Sequence, residues 1–274
     1  MKTLFTILSV GLMMQVALAQ TPPTEESLED QLREEVPAES DPVAEQLFAT
    51  SVKAMGGAGA IQQDTMSANL KFSEGPNVTD MKIFTKRPGK IRSEIEIEHM
   101  GKKHEVITGY NGEEAWTFDT SEKNPFPEKI GGKQADELKE LAAEDDLLLT
   151  WKERGCVIKY LGPVNNRRQK NYLVKLYYPN GKTEYFYFHP KNYLITRRGN
   201  KQVQSGVIVN VDVFFVKYDK VDGYWLPVKT EIAYEDEVVM KLELSDIQLN
   251  QPLSDSLFNP PEVKEVWLKG KNAQ

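Results

Sequence analysis

The sequence is poor in the groups that most often carry chemistry. It has one cysteine and three histidines in 274 residues. A single cysteine allows no intramolecular disulfide, so no stapled scaffold can form. Cys156 is expected as a small buried apolar residue, because a reactive thiol needs a basic partner. His99, His104 and His189 follow no metal-ligand spacing. Basic residues are also in deficit: 34 Lys and Arg stand against 41 Asp and Glu, a formal net charge of −7. That balance argues against nucleic acid and against tight adhesion to anionic membrane surfaces. No G-x-S-x-G elbow is present; Ser205-Gly206 lacks the rest of the motif. No phosphate-cradling glycine loop precedes a helix, since Gly56-Gly57 follows one. Glu94, Glu96 and Glu98 share one face of a strand and read as a solvated row. No enzyme activity, cofactor or metal is expected.

Long apolar runs are also missing. Leu4 to Val16 is too short to span a bilayer. With Lys2 before it and Ala17-Leu18-Ala19 after it, the stretch reads as a signal peptide over residues 1–19, cut before Gln20. No cysteine follows to carry an acyl anchor, so the processed chain is expected to be soluble. Residues 20–40 are rich in Glu and Pro, with Arg33 the only basic residue, and predict a mobile acidic leader.

What is present is mostly strand pattern. Asp41-Pro42 opens a helix as cap and first residue. Its apolar stripe is Ala44, Leu47, Phe48, Ser51 and Met55, and Gly56-Gly57 ends it. Strands are expected over Ser67–Ser73 and Val78–Lys86, broken at Arg87-Pro88. From Ile91 to His99 the alternation is clean, with Ile91, Ser93, Ile95 and Ile97 on one face. At Met100-Gly101-Lys102 a three-residue turn would set Ile95 beside Ile107 and a two-residue turn would set Glu96 there; the three-residue turn is expected because it keeps the apolar faces together. A two-residue turn at Asn111-Gly112 would set Ile107 opposite Trp116. Gln134 to Trp151 reads as a second helix, with Asp145 marking where it leaves the core.

Strands then resume at Val157–Gly162. Tyr172–Tyr178 and Thr183–His189 flank Asn180-Gly181, which predicts Leu176 opposite Tyr185, Val174 opposite Tyr187, Leu173 opposite Phe188 and Lys175 opposite Phe186. Large apolar groups then stand on both faces of that hairpin, so both faces are covered or one lines a cavity. Four more strands follow: Tyr193–Arg198, Val207–Tyr218, Leu226–Tyr234 and Val238–Leu249. About ten twisted strands tend to curl or split, into a barrel, a sandwich or a half-open barrel with helices in its mouth. The two helices favour the last.

Several short pieces, in order, resemble the LolA-like outer-membrane lipoprotein-sorting proteins. They are Met55-Gly56-Gly57, Arg87-Pro88-Gly89-Lys90-Ile91-Arg92, Gly112-Glu113-Glu114-Ala115-Trp116-Thr117-Phe118, Tyr160-Leu161-Gly162, Asp222-Gly223-Tyr224-Trp225-Leu226-Pro227 and Pro252-Leu253-Ser254-Asp255-Ser256-Leu257-Phe258. The resemblance spans about Asp41 to Pro261. It implies a mainly β fold with two or three helices: a curled, antiparallel, half-open β-barrel with a helical lid over an apolar cavity. One such domain would occupy residues 41–263, with a C-terminal tail at 264–274. The family role implies a monomeric periplasmic carrier of lipid or lipoprotein acyl chains, between an inner-membrane donor and an outer-membrane acceptor. The residues expected to line the cavity are Ile95, Ile107, Trp116, Phe118, Val174 and Tyr187. By the same resemblance Arg87 holds the lid shut through hydrogen bonds to helix-end carbonyls or loop groups. The alternative is a periplasmic protein-interaction or sensor module on the same fold, using the sheet edge or the acidic leader.

Overall fold

The computed structural model of the chain describes residues 25–99, 102–121, 126–143, 147–167 and 169–262. The signal-peptide stretch, Met100-Gly101, Asn124-Pro125, Asp145 and the 264–274 tail lie outside these residues. Thirteen antiparallel strands build one sheet. They are β1 (Thr65–Glu74), β2 (Asn77–Lys86), β3 (Lys90–His99), β4 (Lys102–Tyr110), β5 (Ala115–Asp119), β6 (Glu128–Ile130), β7 (Val157–Asn166), β8 (Gln169–Tyr177), β9 (Thr183–Phe188), β10 (Ile195–Gln204), β11 (Val207–Val221), β12 (Tyr224–Tyr234) and β13 (Glu237–Leu249). The order across the sheet is β6-β5-β4-β3-β2-β1-β13-β12-β11-β10-β9-β8-β7, and the two edge strands do not pair with each other. It is an open barrel, mainly β.

Four helices accompany it among the described residues: α1 (Glu25–Gln31), α2 (Pro42–Ala54), α3 (Gly132–Ala142) and α4 (Leu147–Thr150). The start of α2 is as the sequence predicts. The Asp41 side chain accepts the Val43 N–H at 2.8 Å, which satisfies a donor that a helix start otherwise leaves orphaned. Gly56 and Gly57 follow at positive φ. Ala44, Leu47, Phe48, Ser51 and Met55 are all buried. They pack with α4 and with Ile158, Val174, Leu176, Phe186, Phe188 and Ile195 in the larger core cluster. A smaller cluster joins Leu141 and Ala142 of α3 to Ala68, Ile83, Ile91, Tyr110, Ala115 and Ile130. Helices α2, α3 and α4 therefore cover one face, here the inner face. The expected single helix Gln134–Trp151 is two, α3 and α4.

Turn geometry corrects three registers. The ladder between β3 and β4 closes at His99↔Lys102, so two residues separate the strands rather than three. Ile95 then pairs with Val106 and Ile107 with Glu94. Ile95 and Ile107 point to opposite faces, because strand side chains alternate. After β4 the ladder restarts at Tyr110↔Ala115, across a four-residue connection. The Asn111 side chain holds it open by accepting the N–H groups of Glu113 and Glu114 at 3.0 and 2.9 Å. Ile107 thus faces Phe118, and Trp116 faces Gly109. The β8–β9 loop is also one residue longer than expected: Tyr178 N–H donates to the Lys182 carbonyl around Pro179-Asn180-Gly181. The pairs become Val174↔Phe186, Leu176↔Glu184, Leu173↔Tyr187 and Lys175↔Tyr185.

The stretch expected to be a mobile leader is docked over residues 25–40. Leu28 of α1 is buried. Glu34 N–H donates to the Gly181 carbonyl at 2.8 Å, and its carboxylate meets Lys175 Nζ at 2.5 Å. Lys175 lies between the Tyr177 and Tyr185 rings. Burial alone would lower its pKa, but the bonds to Glu34 and Tyr185 outweigh burial and the net direction is up. Glu29 pairs with Lys182. The segment then crosses the β7 edge: Asp41 N–H donates to the Ile158 carbonyl, and Ile158 N–H donates to Ser40 Oγ. Composition hid this, because the anchors are one leucine and two carboxylates matched to specific lysines. The same contacts cover the β7 edge, which would otherwise offer a pairing template.

Candidate functional site: an inner face between two helical covers

Pairing fixes which residues share the inner face. From β1 outward it carries Leu70 and Phe72, then Met81 and Ile83, then Ile91, Ile95 and Ile97, then Val106 and Tyr110. At one end of these strands α3 covers Ile83, Ile91 and Tyr110, all buried. Toward the other end Phe72, Met81, Ile95 and Val106 are only half-buried, and Ile97 is 39% exposed. On the far side of the sheet α2 and α4 cover β7 to β9. Apolar side chains thus continue across the inner face between the two covers.

A break in the sheet opens into this region. β12 and β13 pair only from Lys229↔Glu243 to Tyr234↔Glu237, although β12 begins at Tyr224 and β13 runs on to Leu249. Pro227 stands just past the last pair and has no N–H to donate, which ends a ladder. Val216 and Val228 are bulged in the adjoining ladder, and Asp246 sits at φ 50°. The resulting cleft has a volume of about 410 Å³ and is lined by Asp219, Lys220, Val221, Val228, Leu244, Ser245, Asp246 and Ile247. Leu244 and Ile247 pack against the α3 cluster. On the β12 side the end of α2 is fastened: Trp225 N–H donates to the Met55 carbonyl at 2.8 Å. A Cβ on Gly56 would lie 2.9 Å from the Tyr224 ring, so only glycine admits that approach. The cleft therefore lies between the two helical covers.

The opposite, outer face carries straps. After β13, residues 250–262 run back across β1 to β5. Asn250 N–H donates to the Thr65 carbonyl, and Lys86 and Lys90 both meet Asp255 at 2.9 Å. Arg92 donates to the Leu257 carbonyl, and Trp116 Nε1 donates to the Phe258 carbonyl, both at 2.9 Å. The hydrogen bonds from Lys90 and then Lys86 hold the Asp255 carboxyl down, from 3.8 to about 2. Phe258 is fully buried and Trp116 is 1% exposed.

Two neighbouring arginines of β10 show how each face is finished. Arg198 pairs with buried Glu184 at 2.6 Å on the inner side, where Tyr178 also donates to Glu184. Arg197 makes a two-pronged pair with Asp212, both bonds at 2.7 Å, over the Tyr187 and Phe214 rings. Burial pushes the Asp212 carboxyl up, and Arg197 offsets only part of that. Among the described residues no cluster of metal-ligating side chains forms, and no helix is long and apolar enough to cross a membrane.

The residues singled out from sequence divide between these environments. Ile95 and Val174 lie on the inner face, Val174 fully buried in the core under α2. Ile107, Trp116 and Phe118 share the outer face of β4 and β5, with Trp116 beneath the C-terminal strap. Tyr187 is also on the outer side, paired with Leu173 and beneath Arg197. Arg87 stands at the β2–β3 turn, its N–H donating to the Asp64 carbonyl at 2.9 Å. The seven do not converge. Sequence reasoning missed the cleft, for which Pro227 inside a strand pattern was the available signal.

Two solved structures superpose on this arrangement over most of the chain. One is a DUF1329 family protein from Desulfovibrio piger, 15% identical, with a TM-score of 0.52 over 80% of this chain and 98% of that one. The other is a putative outer membrane lipoprotein-sorting protein domain from Vibrio parahaemolyticus, 10% identical, with a TM-score of 0.52 over 79% of this chain and 96% of that one. The chain has the LolA-like fold. A LolA superfamily protein from Nitrosomonas europaea is 14% identical at a TM-score of 0.49, over 79% of this chain and 97% of that one. No family model matches the chain, and no curated protein matches it. Within the LolA-like fold of this chain, α2 with α4 and α3 form the two halves of the lid, and the cleft lies between them.

Proposed function

We propose that the chain is a soluble periplasmic carrier that holds the acyl chains of lipoproteins or lipids against the inner face of its LolA-like barrel. The carrying observation is the row of half-buried apolar side chains, Phe72, Met81, Ile95 and Val106, that continues between the two helical covers and meets an open cleft. An acyl chain gains about 0.8 kcal/mol for each CH₂ taken out of water, so partial burial of one chain suffices to hold cargo. The cleft volume of about 410 Å³ falls within the range of small-molecule sites. The signal-peptide pattern at residues 1–19 and the lack of a cysteine after it support a periplasmic, unanchored protein.

Native mass spectrometry of protein purified from the periplasm tests the reading. Bound lipid, or displacement of a fluorescent fatty acid by added lipid, is the expected result. A protein that never binds either is not a lipid carrier.

A further inference from the structure

We infer that the β12–β13 cleft is a headgroup site for a zwitterionic phospholipid, with Lys220 taking the phosphodiester and Asp246 the ammonium. The inference rests on the carrier reading and adds to it the polar chemistry of the cargo. A simple apolar chain needs only apolar walls, and Val221, Val228, Leu244 and Ile247 supply them. The remaining lining residues are Asp219, Lys220, Ser245 and Asp246, so half of the wall is polar and carries both signs of charge. The cleft breaks through the sheet where the β12–β13 ladder has ended. An amphiphile lying on the inner face can thus keep its tail among Leu244 and Ile247 and set its polar end in the break.

The charges at the rim are not equally committed. Asp219 is held by Lys217 at 2.6 Å. Among the described residues Asp246 accepts one hydrogen bond, from Asn69 Nδ2 to its Oδ2 at 2.7 Å, and Oδ1 accepts none there. Lys220 makes no ion pair among the described residues. A phosphodiester carrying an ammonium satisfies both groups at once. An anionic headgroup meets Lys220 but also faces two carboxylates, and like charges brought together at a rim cost binding. An uncharged glyceride leaves both rim charges without a partner.

The test uses the full processed chain and dioctanoyl lipids below their micelle concentrations, each displacing a fluorescent fatty acid. Dioctanoyl phosphatidylethanolamine is expected to displace it at a concentration about fivefold lower than dioctanoyl phosphatidylglycerol, the factor a single exposed ion pair commands. Lys220→Gln should weaken both phospholipids relative to dioctanoylglycerol. Asp246→Asn should bring the two phospholipids level, and asparagine tolerates the positive φ at this position. Both sites are exposed, and circular dichroism checks that the variants fold. Equal displacement by the two phospholipids, or a preference for phosphatidylglycerol, overturns the headgroup site and leaves the carrier reading intact. A preference that survives both substitutions removes it from this cleft. Failure of every lipid to displace the probe overturns the carrier reading itself.

Discussion

Trp116 separates a wall of the cargo site from a pillar of the fold, and the structure assigns it to the second. It lies on the outer face opposite Gly109, where even a Cβ would come within 2.7 Å of the indole. Its Nε1 donates to the Phe258 carbonyl at 2.9 Å, and the Arg92 guanidinium stands 5.7 Å from its ring centre. Trp116→Ala removes the ring and the hydrogen-bond donor together. A fully buried aromatic lost in this way costs about 3–5 kcal/mol. For a domain of this size that is a fall of roughly 6–20 °C in Tm. Trp116→Phe keeps most of the packing and leaves the Phe258 carbonyl without its donor, at about 1–3 kcal/mol. Thermal and urea denaturation read both. Fatty-acid affinity of the folded fraction should be unchanged in each variant. A Trp116→Ala protein that loses less than about 1 kcal/mol, or that binds lipid much more weakly while keeping its stability, would refute the assignment.

Asp255 gives the strap a pH dependence. Its folded carboxyl is held at about 2, below the ordinary 3.8. Its contribution is therefore complete above about 3.8 and is lost as pH falls through about 2. Wild type should be more stable than Asp255→Asn at neutral pH, and denaturation curves of the two should converge on acidification to about pH 2. Ile95 and Ile107 test the register: Ile95→Asn should weaken lipid binding more than stability, whereas Ile107→Asn should destabilise the fold and leave affinity of the folded fraction alone. Equal behaviour of the two would contradict the pairing of Ile95 with Val106. Gly181 admits the leader, since a Cβ there would sit 2.9 Å from the Glu34 carbonyl oxygen at a φ of 82°. Gly181→Ala should loosen the leader, seen as faster trypsin cleavage after Arg33; an unchanged rate would count against the docking.

Much of the architecture was readable from residue pattern. The Asp41 cap, the α2 stripe and the inner-face row Ile91, Ser93, Ile95 and Ile97 follow from period and propensity, which are local properties. The errors arose at turns. Asn-Gly supplies positive φ but does not fix how many residues the connection contains. At Asn111 the side chain captured two N–H groups and lengthened the turn by two, which kept the face of Ile107 and Trp116. At Pro179-Asn180-Gly181 the loop gained one residue, which sent Tyr187 to the outer side away from Val174. The site residues scattered for that reason. Pro227 was the one local sign of the cleft, which arises where two strands, both well formed, stop pairing with each other. The docked leader was illegible because its few anchors depend on lysines more than a hundred residues away along the chain.

In the proposed carrier an acyl chain lies on the inner face, between α3 on one side and α2 with α4 on the other. A fatty acid bearing a diazirine along its chain, photolysed on the folded protein and located by peptide mass spectrometry, tests this directly. Labelling is expected on the peptides that carry Phe72, Met81, Ile95, Val106 and Leu244. Labelling confined to outer-face positions such as Leu173 or Tyr187, or no labelling above that of the unfolded chain, would contradict it.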